Sequence, residues 1–163
     1  MSRLLLIAMA LLTATIGQAQ EFTMKHVSDS LSMLILRTDS MLDRWEIRHP
    51  VYRFCTGDVN CDGQQEALVG VVSATRFYPE QGRRLFIYKN VRGRIRSLWM
   101  GSRLGGILQD FRYVDGCVRS LETDNHGRYY VAEYSLRKFG LGFDRFLAEA
   151  VGRDEALTLF ESP

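Results

Sequence analysis

From residue 51 to residue 150 the chain is a succession of short runs rich in β-branched and aromatic residues. The segments between the runs contain glycine, proline, asparagine or aspartate, which favour tight turns and interrupt strands. This spacing is typical of antiparallel strands joined by short loops. We predict eight strands, at residues 51–56, 67–73, 84–89, 94–100, 107–114, 118–123, 128–135 and 143–150. The predicted fold class is mainly β, as a two-layer sandwich or one strongly curved antiparallel sheet.

The segment before this region has a different pattern, which predicts an N-terminal helix over residues 28–45. Ser28 suits the start of a helix, and Pro50 disfavours helical backbone at the residue before it. The apolar residues near one helical stripe are Val27, Leu31, Leu34, Ile35, Leu42 and Trp45. The serine and threonine content leaves an alternative, a buried strand at residues 33–36. At the other end of the chain, residues 153–160 predict a short closing helix.

Residues 1–19 have the pattern of a secretory leader. Arg3 provides the positive start, residues 4–12 form an apolar run, and Gly17 and Ala19 are the small residues that signal peptidase recognises. We expect cleavage after Ala19, which leaves residues 20–163 as a single β-rich domain in an extracytoplasmic location, periplasmic or secreted. The alternative is an uncleaved anchor. No later stretch offers the ~20 consecutive apolar residues that a membrane-spanning helix needs.

The charge balance and the cysteines limit the partners and the redox state. The chain has 21 lysines and arginines against 19 aspartates and glutamates, so its composition does not indicate nucleic acid as a partner.

An oxidising compartment would allow one disulfide among the three cysteines, in any of three pairings. The alternative is that they are thiols buried as small apolar side chains. These cysteines are Cys55, Cys61 and Cys117.

Residues 57–66 read Gly-Asp-Val-Asn-Cys-Asp-Gly-Gln-Gln-Glu, with side-chain oxygens at alternate positions. Three such side chains can turn toward one point, because Gly63 permits a sharp turn after them. Carboxylate, amide and carbonyl oxygens are the ligands that calcium prefers. The alternative is a plain turn in which Asp and Asn bond to their own backbone. We predict a Ca²⁺ site with these ligands: Asp58, Asn60, Asp62, the Gln64 carbonyl and Glu66.

The segment Gly57-Asp58-Val59-Asn60-Cys61-Asp62-Gly63, with Glu66 and Leu68-Val69-Gly70-Val71 after it, resembles the calcium loop of FG-GAP and VCBS propeller repeats. More distantly it is similar to dockerin and EF-hand-like loops. The resemblance covers residues 57–71 and implies that the loop joins two strands of one propeller-blade-like meander. Cys61 stands where the family commonly has glycine, Glu66 replaces its usual aspartate, and Val69 stands where an EF-hand has glutamate.

A second, degenerate copy of the same unit is expected at residues 111–134. Its loop lacks the alternating oxygens, so no metal ligands are assigned to it. Two such units would use most of the chain, whereas a propeller needs about four blades to close. The resemblance therefore implies blade-like meanders and not a closed propeller.

Between Glu80 and Asp110 the chain carries many arginines and no acidic residue. Guanidinium groups pair well with acidic groups, so this region predicts a surface for an anionic polysaccharide or another envelope component. The alternative is a solvated strand face whose basic residues protect a sheet edge. The predicted ligand-binding residues are Arg84, Tyr88, Arg94, Arg96, Trp99 and Arg103.

Catalytic signatures are absent from the sequence, and the three histidines are scattered. Glu122, Asp124 and His126 alternate, so they would share one strand face, and they support an alternative function as a small envelope hydrolase. Residues 124–127 also have the composition of a turn between two strands. The sequence therefore predicts an exported, calcium-stabilised β-domain that acts as a binding or structural module rather than as an enzyme.

Overall fold

The computed structural model describes residues 20–76, 78–101 and 104–163. Within these ranges the chain forms eleven strands and one helix: β1 (Gln20–Ser28), β2 (Leu31–Thr38), β3 (Leu42–Ile47), β4 (Val51–Gly57), β5 (Glu66–Thr75), β6 (Tyr78–Val91), β7 (Arg94–Met100), β8 (Ile107–Val114), β9 (Cys117–Thr123), β10 (Tyr129–Arg137), β11 (Gly140–Val151) and α1 (Arg153–Glu161). The predicted leader, residues 1–19, lies outside the described residues. No described helix is both long and apolar enough to cross a bilayer.

The strands form three antiparallel sheets, and in each sheet every strand pairs with the next one along the chain. Sheet 1 contains β1–β3, sheet 2 contains β4–β7 and sheet 3 contains β8–β11. Short turns make this order possible, because antiparallel neighbours need only a few connecting residues. Between β6 and β7, for example, Arg92 and Gly93 both have left-handed backbone, with φ of 54° and 79°. The prediction of a mainly β, antiparallel fold is confirmed.

The three sheets stack face to face with sheet 2 in the middle. We call the layer between sheets 1 and 2 the first joint, and the layer between sheets 2 and 3 the second joint. The first joint consists of Phe22, Leu34, Leu36, Ile47, Ala67, Val69, Val71, Phe86, Tyr88 and Ile95. The second joint contains Leu68, Leu85, Ile87, Trp99, Leu108, Phe111, Val118, Ala132 and Tyr134, with Val59 and Leu104 from loops.

The central strand β5 explains why the chain has an almost continuous apolar run after residue 66. Ala67 and Val69 point into the first joint, whereas Leu68 points into the second joint. A strand with both faces buried shows no alternation of apolar and polar residues. Burial of each large apolar side chain contributes about 1.5–3 kcal/mol, so β5 stabilises both joints at once.

The helix α1 covers the outer face of sheet 3. Ala156 and Phe160 of the helix pack with Leu121, Val131 and Ala148 of the sheet. The backbone carbonyls at the end of the helix accept hydrogen bonds from Arg112 and Arg119, where a positive charge also favours the helix dipole. This helix occupies the residues in which the sequence indicates a closing helix.

The N-terminal helix predicted over residues 28–45 is wrong, because the structure has strands β2 and β3 there. Asp29-Ser30 and Asp39-Ser40 form turns, and β2 between them alternates with Ser32, Leu34 and Leu36 facing inward. Two members of the proposed helical stripe lie on the surface, since Val27 is 53% and Leu42 is 45% exposed. Packing against sheet 2 favours the strand, which was the alternative for residues 33–36.

The eight predicted strands correspond to β4–β11, so the predicted number was wrong by the three strands of sheet 1. The arrangement also differs from both expectations, because the layers are three stacked sheets rather than a two-layer sandwich or one curved sheet. The physical reason is that sheet 2 is apolar on both faces. A sheet of this kind needs a partner on each side, and sheet 1 supplies the second one.

Candidate functional site

The loop of residues 57–66 connects β4 to β5 and is fastened to the body of the protein at three points. Val59 is 3% exposed and packs in the second joint. The hydroxyl of Tyr113 donates to the Asp58 carbonyl at 3.2 Å, and the side-chain amide of Gln20 donates to the Gln65 carbonyl at 2.9 Å. The sequence pattern gave no sign of these long-range anchors, which hold both ends of the loop in place.

The polar side chains of the loop turn inward and bond to its backbone. Both carboxylate oxygens of Asp58 accept, from the N–H of Asp62 at 3.0 Å and from that of Gly63 at 2.9 Å. The backbone is left-handed at Cys61 and Gly63, with φ of 57° and 84°. Left-handed backbone favours glycine, so Cys61 occupies a position at which a glycine would be less strained.

Glu66 closes the loop from below with a buried carboxylate. Its side chain is 2% exposed, and its oxygens accept from the Val59 N–H at 3.0 Å and from the Asn60 amide at 2.8 Å. Burial raises the pKa of Glu66 to about 7, because these amide bonds offset only part of the cost of desolvation. The same Asn60 amide donates to Asp62 at 2.9 Å, so one N–H₂ group lies between two carboxylates.

The loop therefore brings the side chains of four of the five predicted calcium ligands into one hydrogen-bonded network, namely Asp58, Asn60, Asp62 and Glu66. The fifth, Gln64, is exposed and donates its backbone N–H to Asp62 at 2.9 Å. Across the part of the chain that the structure describes, no three His, Cys, Asp or Glu side chains are grouped closely enough to hold a metal ion. Calcium would therefore depend on the Asn60 amide and on backbone carbonyls as well as on carboxylates, and these hard oxygen donors suit it.

The three cysteines are free thiols. Cys55 and Cys117 are half-buried and Cys61 is exposed on the loop. Burial raises the pKa of the Cys55 thiol, which keeps it protonated at neutral pH. The free thiols match the alternative to a disulfide, but its expectation of burial holds only in part for Cys55 and Cys117 and is wrong for the exposed Cys61.

Tyr88 and Trp99, the aromatic members of the predicted ligand-binding surface, lie in the core. Tyr88 is 1% exposed in the first joint, whereas Trp99 is 8% exposed in the second joint. They point to opposite faces of sheet 2, and a bulge between Ile87 and Tyr88 shifts the pairing of β6 with β7. The bulge changes the alternation of β7, which the sequence does not reveal.

The arginines of that surface also separate. Arg94 pairs with Asp43 at 3.1 Å, and Arg96 donates to the backbone carbonyl of its neighbour. Arg84 lies seven residues along β6 from Val91, the pairing partner of Arg94, which corresponds to roughly 20 Å of strand. Its guanidinium stacks on the Tyr78 ring at 4.5 Å. Arg103 lies outside the described residues. The structure therefore does not bring together the five predicted residues that it describes.

Glu122, Asp124 and His126 do not converge either. Glu122 is 1% exposed, and one of its oxygens accepts from the hydroxyls of Ser120 at 2.5 Å and Tyr134 at 2.8 Å. Asp124 belongs to the β9–β10 turn, where bonds from Arg128 outweigh the effect of desolvation and lower its pKa to about 2. His126 is exposed and contributes only its backbone N–H to the turn. The hydrolase stays a prediction that this geometry does not favour.

Comparison with known proteins adds no relative: no family model, no curated protein and no solved structure matches the chain. The resemblance of residues 57–71 to FG-GAP and VCBS loops therefore depends on the loop itself.

Proposed function

We propose that this protein is an exported β-domain that binds calcium at residues 57–66 and acts as a binding or structural module for an anionic glycan or another envelope component. The observation that carries the proposal is the buried carboxylate of Glu66 beneath a loop that also contains Asp58 and Asp62. The described partners of Glu66 are amide groups, which do not compensate a full negative charge.

A divalent cation would supply that compensation. It would favour the ionised form of Glu66 and attract the carboxylates of Asp58 and Asp62, and the Gln64 carbonyl and the Asn60 amide oxygen would complete the ligands. Sites of this kind in extracellular modules bind calcium with Kd on the order of 10⁻⁴ to 10⁻³ M. A calcium concentration ten times Kd would then stabilise the folded state by about 1.4 kcal/mol.

The leader-like pattern of residues 1–19 supports export. An exported protein would meet calcium, because calcium is abundant outside the cytoplasm. The likeness of residues 57–71 to FG-GAP and VCBS loops supports the same ion and a blade-like meander around it. The position of the loop supports a stabilising role, because the loop joins two strands of the central sheet and is anchored to the second joint through Val59.

The test is thermal unfolding of the protein after treatment with EDTA, in buffer alone, with 10 mM Mg²⁺ and with 10 mM Ca²⁺. We expect calcium to raise Tm by about 4 °C and magnesium to have a smaller effect, because magnesium demands a stricter octahedral site. The double variant Asp58→Asn/Asp62→Asn should lose the calcium response. The control is Asp115→Asn in the β8–β9 turn, an exposed aspartate outside the loop, which should keep it.

An identical Tm with EDTA and with calcium would contradict the metal site. A calcium response that survives in the double variant would place the ion elsewhere in the protein. Either result would also remove the support that the loop gives to the likeness with propeller repeats.

A further inference from the structure

We propose that the glycan-binding site is a groove that crosses Gly105 and Gly106, from the aromatic side chains of β11 to the β5–β6 hairpin, and that its ligand is a linear chain of pyranose sugars. This inference rests on the proposed role of the protein as a glycan-binding module and assigns that role to a site that does not include the calcium loop.

The groove consists of three hollows that share walls. The first, about 460 Å³, lies between Gly105 and Phe146. The second, about 220 Å³, touches the same two residues and reaches Asp124. The third, about 290 Å³, shares Gly105, Gly106 and Asp124 with the second and extends to Gln81. Since neighbouring hollows have lining residues in common, they adjoin one another along the surface.

The middle of the groove has a floor of bare backbone. The Gly105 N–H donates to the Tyr134 hydroxyl at 2.9 Å, and the Gly106 N–H donates to the Glu122 carboxylate. A Cβ atom on Gly106 would lie 3.0 Å from the Thr123 carbonyl and 3.0 Å from the Glu122 carboxylate, so only glycine lets the backbone lie this close to β9. The buried side chains of Glu122 and Tyr134 thus fix the backbone of Gly105 and Gly106 against sheet 3, where it forms the shallow base of the groove.

The β11 end of the groove exposes aromatic rings. Phe143 and Phe146 are 47% and 42% exposed, and their ring centroids lie 4.7 Å apart. Tyr130 continues the row at 5.8 Å from Phe146. Exposure of apolar rings to water is unfavourable, so neighbouring rings that remain partly exposed are a common mark of a binding surface. The ring planes are inclined to one another by 55° and 51°, so each ring offers a separate stacking position to a flat ligand.

The hairpin end of the groove is polar. Asp124 and Asn125 line it from the β9–β10 turn, and Glu80 and Gln81 line it from β6. Carboxylates accept hydrogen bonds, and amides both donate and accept, which is the combination that sugar hydroxyls require. Arg84 stacks on Tyr78, and its two terminal nitrogens donate to the backbone carbonyls of Arg83 and Glu80. Its positive charge at this end of the groove favours the carboxylate of an acidic sugar.

These two kinds of wall fit one class of ligand. A pyranose ring has flat faces rich in C–H groups and a rim of hydroxyls, so it can pack on Phe143 and Phe146 and also hydrogen-bond to amides and carboxylates. An acyl chain would cover the polar residues without offering them hydrogen bonds, and the desolvation of these residues would then be costly. Because the hollows adjoin one another across the glycine floor, the groove suits several linked sugars in a row.

The experiment is calorimetric titration of the whole protein with cellohexaose as the neutral probe and hexagalacturonate as the acidic one. We expect at least one probe to bind, and Phe143→Ala and Phe146→Ala each to weaken its binding by about tenfold, because a stacking surface is lost. The matched control is Phe139→Ala. Phe139 is 94% exposed and lies outside the three hollows, so its removal should leave the affinity unchanged.

Two further variants test the polar end. Asn125→Ala should weaken either bound probe several-fold, and Arg84→Gln should weaken the acidic probe more than the neutral one. The groove is overturned if neither probe binds, or if Phe139→Ala weakens binding as much as Phe146→Ala. It is also overturned if Phe146→Ala instead converts a dimer to a monomer in sedimentation, since the rings would then be covered by a second copy of the chain.

Calcium melts of the same variants separate this inference from the calcium site. The phenylalanine variants should keep the Tm rise with calcium, which also shows that they are folded. A normal calcium response without oligosaccharide binding would contradict the groove alone. Oligosaccharide binding without a calcium response would contradict the metal site alone.

Discussion

Among the described residues three glutamates are buried, and their partners give them different roles. Glu66 is held by amide groups, and Glu122 accepts from two hydroxyls and one backbone N–H. Glu133 lies between two guanidinium groups, at 3.0 Å from Arg119 and 2.7 Å from Arg145. Only Glu133 has a full opposite charge within reach, so its role is structural, whereas the charge of Glu66 remains available for a cation.

Glu133→Gln should destabilise the protein at neutral pH by about 2 kcal/mol, because hydrogen bonds to a charged group are lost. Burial by itself raises the pKa of Glu133, but the bonds from Arg145 and Arg119 outweigh burial and hold it below the ordinary value of 4.5. The ionised carboxylate therefore stabilises the fold above pH 4.5, and this contribution disappears as the pH falls through the lowered pKa.

Urea unfolding of the wild type and of Glu133→Gln between pH 3 and pH 7 measures this effect. The difference in unfolding free energy should be largest at pH 7 and shrink toward pH 3. Glu149→Gln, at an exposed position of β11, is the control and should change stability by less than about 0.5 kcal/mol. A difference that grows toward acid pH would show that the carboxylate is not stabilised by the two arginines.

At the scale of elements, the strand β11 and the helix α1 complete sheet 3 in different ways. β11 is an edge strand with three irregularities in its pairing with β10. Such irregularities discourage pairing with another chain. They also leave consecutive side chains, such as Phe143 and Asp144, both exposed to solvent. The helix α1 shields the outer face of sheet 3 through Ala156 and Phe160.

The helix should contribute to stability mainly through Phe160, which is 4% exposed against sheet 3. Phe160→Ala should lower the unfolding free energy by about 3 kcal/mol, because it removes a buried ring and leaves a cavity. Thr158→Ala, at an exposed position of the same helix, is the matched control with a change below about 0.5 kcal/mol. Urea unfolding followed by circular dichroism gives both values, and equal effects would mean that the helix does not pack on the sheet.

At the scale of the whole molecule, the central sheet couples the two outer sheets. Its strand β5 contributes to the first joint and to the second joint, so neither layer can be lost without exposing apolar surface of the other. An ion pair between Arg53 of sheet 2 and Asp110 of sheet 3 adds a polar link at 2.5 Å. A single cooperative unfolding transition follows from this shared core.

The two tryptophans report on the two joints separately, since Trp45 packs at the first joint and Trp99 in the second. In the single-tryptophan variants Trp45→Phe and Trp99→Phe, we expect the fluorescence midpoint in urea to equal the midpoint by circular dichroism. The reason is that β5 must leave both joints at once. If Trp45 fluorescence changed at a lower urea concentration than the dichroism, sheet 1 would unfold independently.

Strands β4 to β11 were predictable because the information that specifies them is local. The turns at residues 92–93 and 115–116 contain glycine in left-handed backbone, and the strands β7 and β8 begin and end at the predicted residues. Sheet 1 was missed because Leu31, Leu34 and Ile35 satisfy helical spacing as well as a strand. Only the neighbouring sheet favours one of the two.

The loop of residues 57–66 was recognisable for the same local reason, since its oxygens and glycine lie within ten residues. The arginine-rich surface was not predictable, because the bulge in β6–β7 sends Tyr88 and Trp99 to opposite joints. The groove gave no clear signal in the sequence, because β11 contains only two aromatic residues in twelve, whereas β10 contains three in nine. Its walls come from β6, the loop before β8, the β9–β10 turn and β11, which only the fold brings together.

The sequence by itself determined the turns, the short strands between them and the loop in which Asp58, Asn60, Asp62 and Glu66 converge. Each of these depends on backbone preferences and hydrogen bonds between residues close together in the chain. The tertiary structure decided the stacking of three sheets, the burial of Tyr88 and Trp99, and the groove over Gly105 and Gly106. These features depend on apolar contacts between segments that are distant in the chain. Which face of a strand is buried is decided only when those segments pack together.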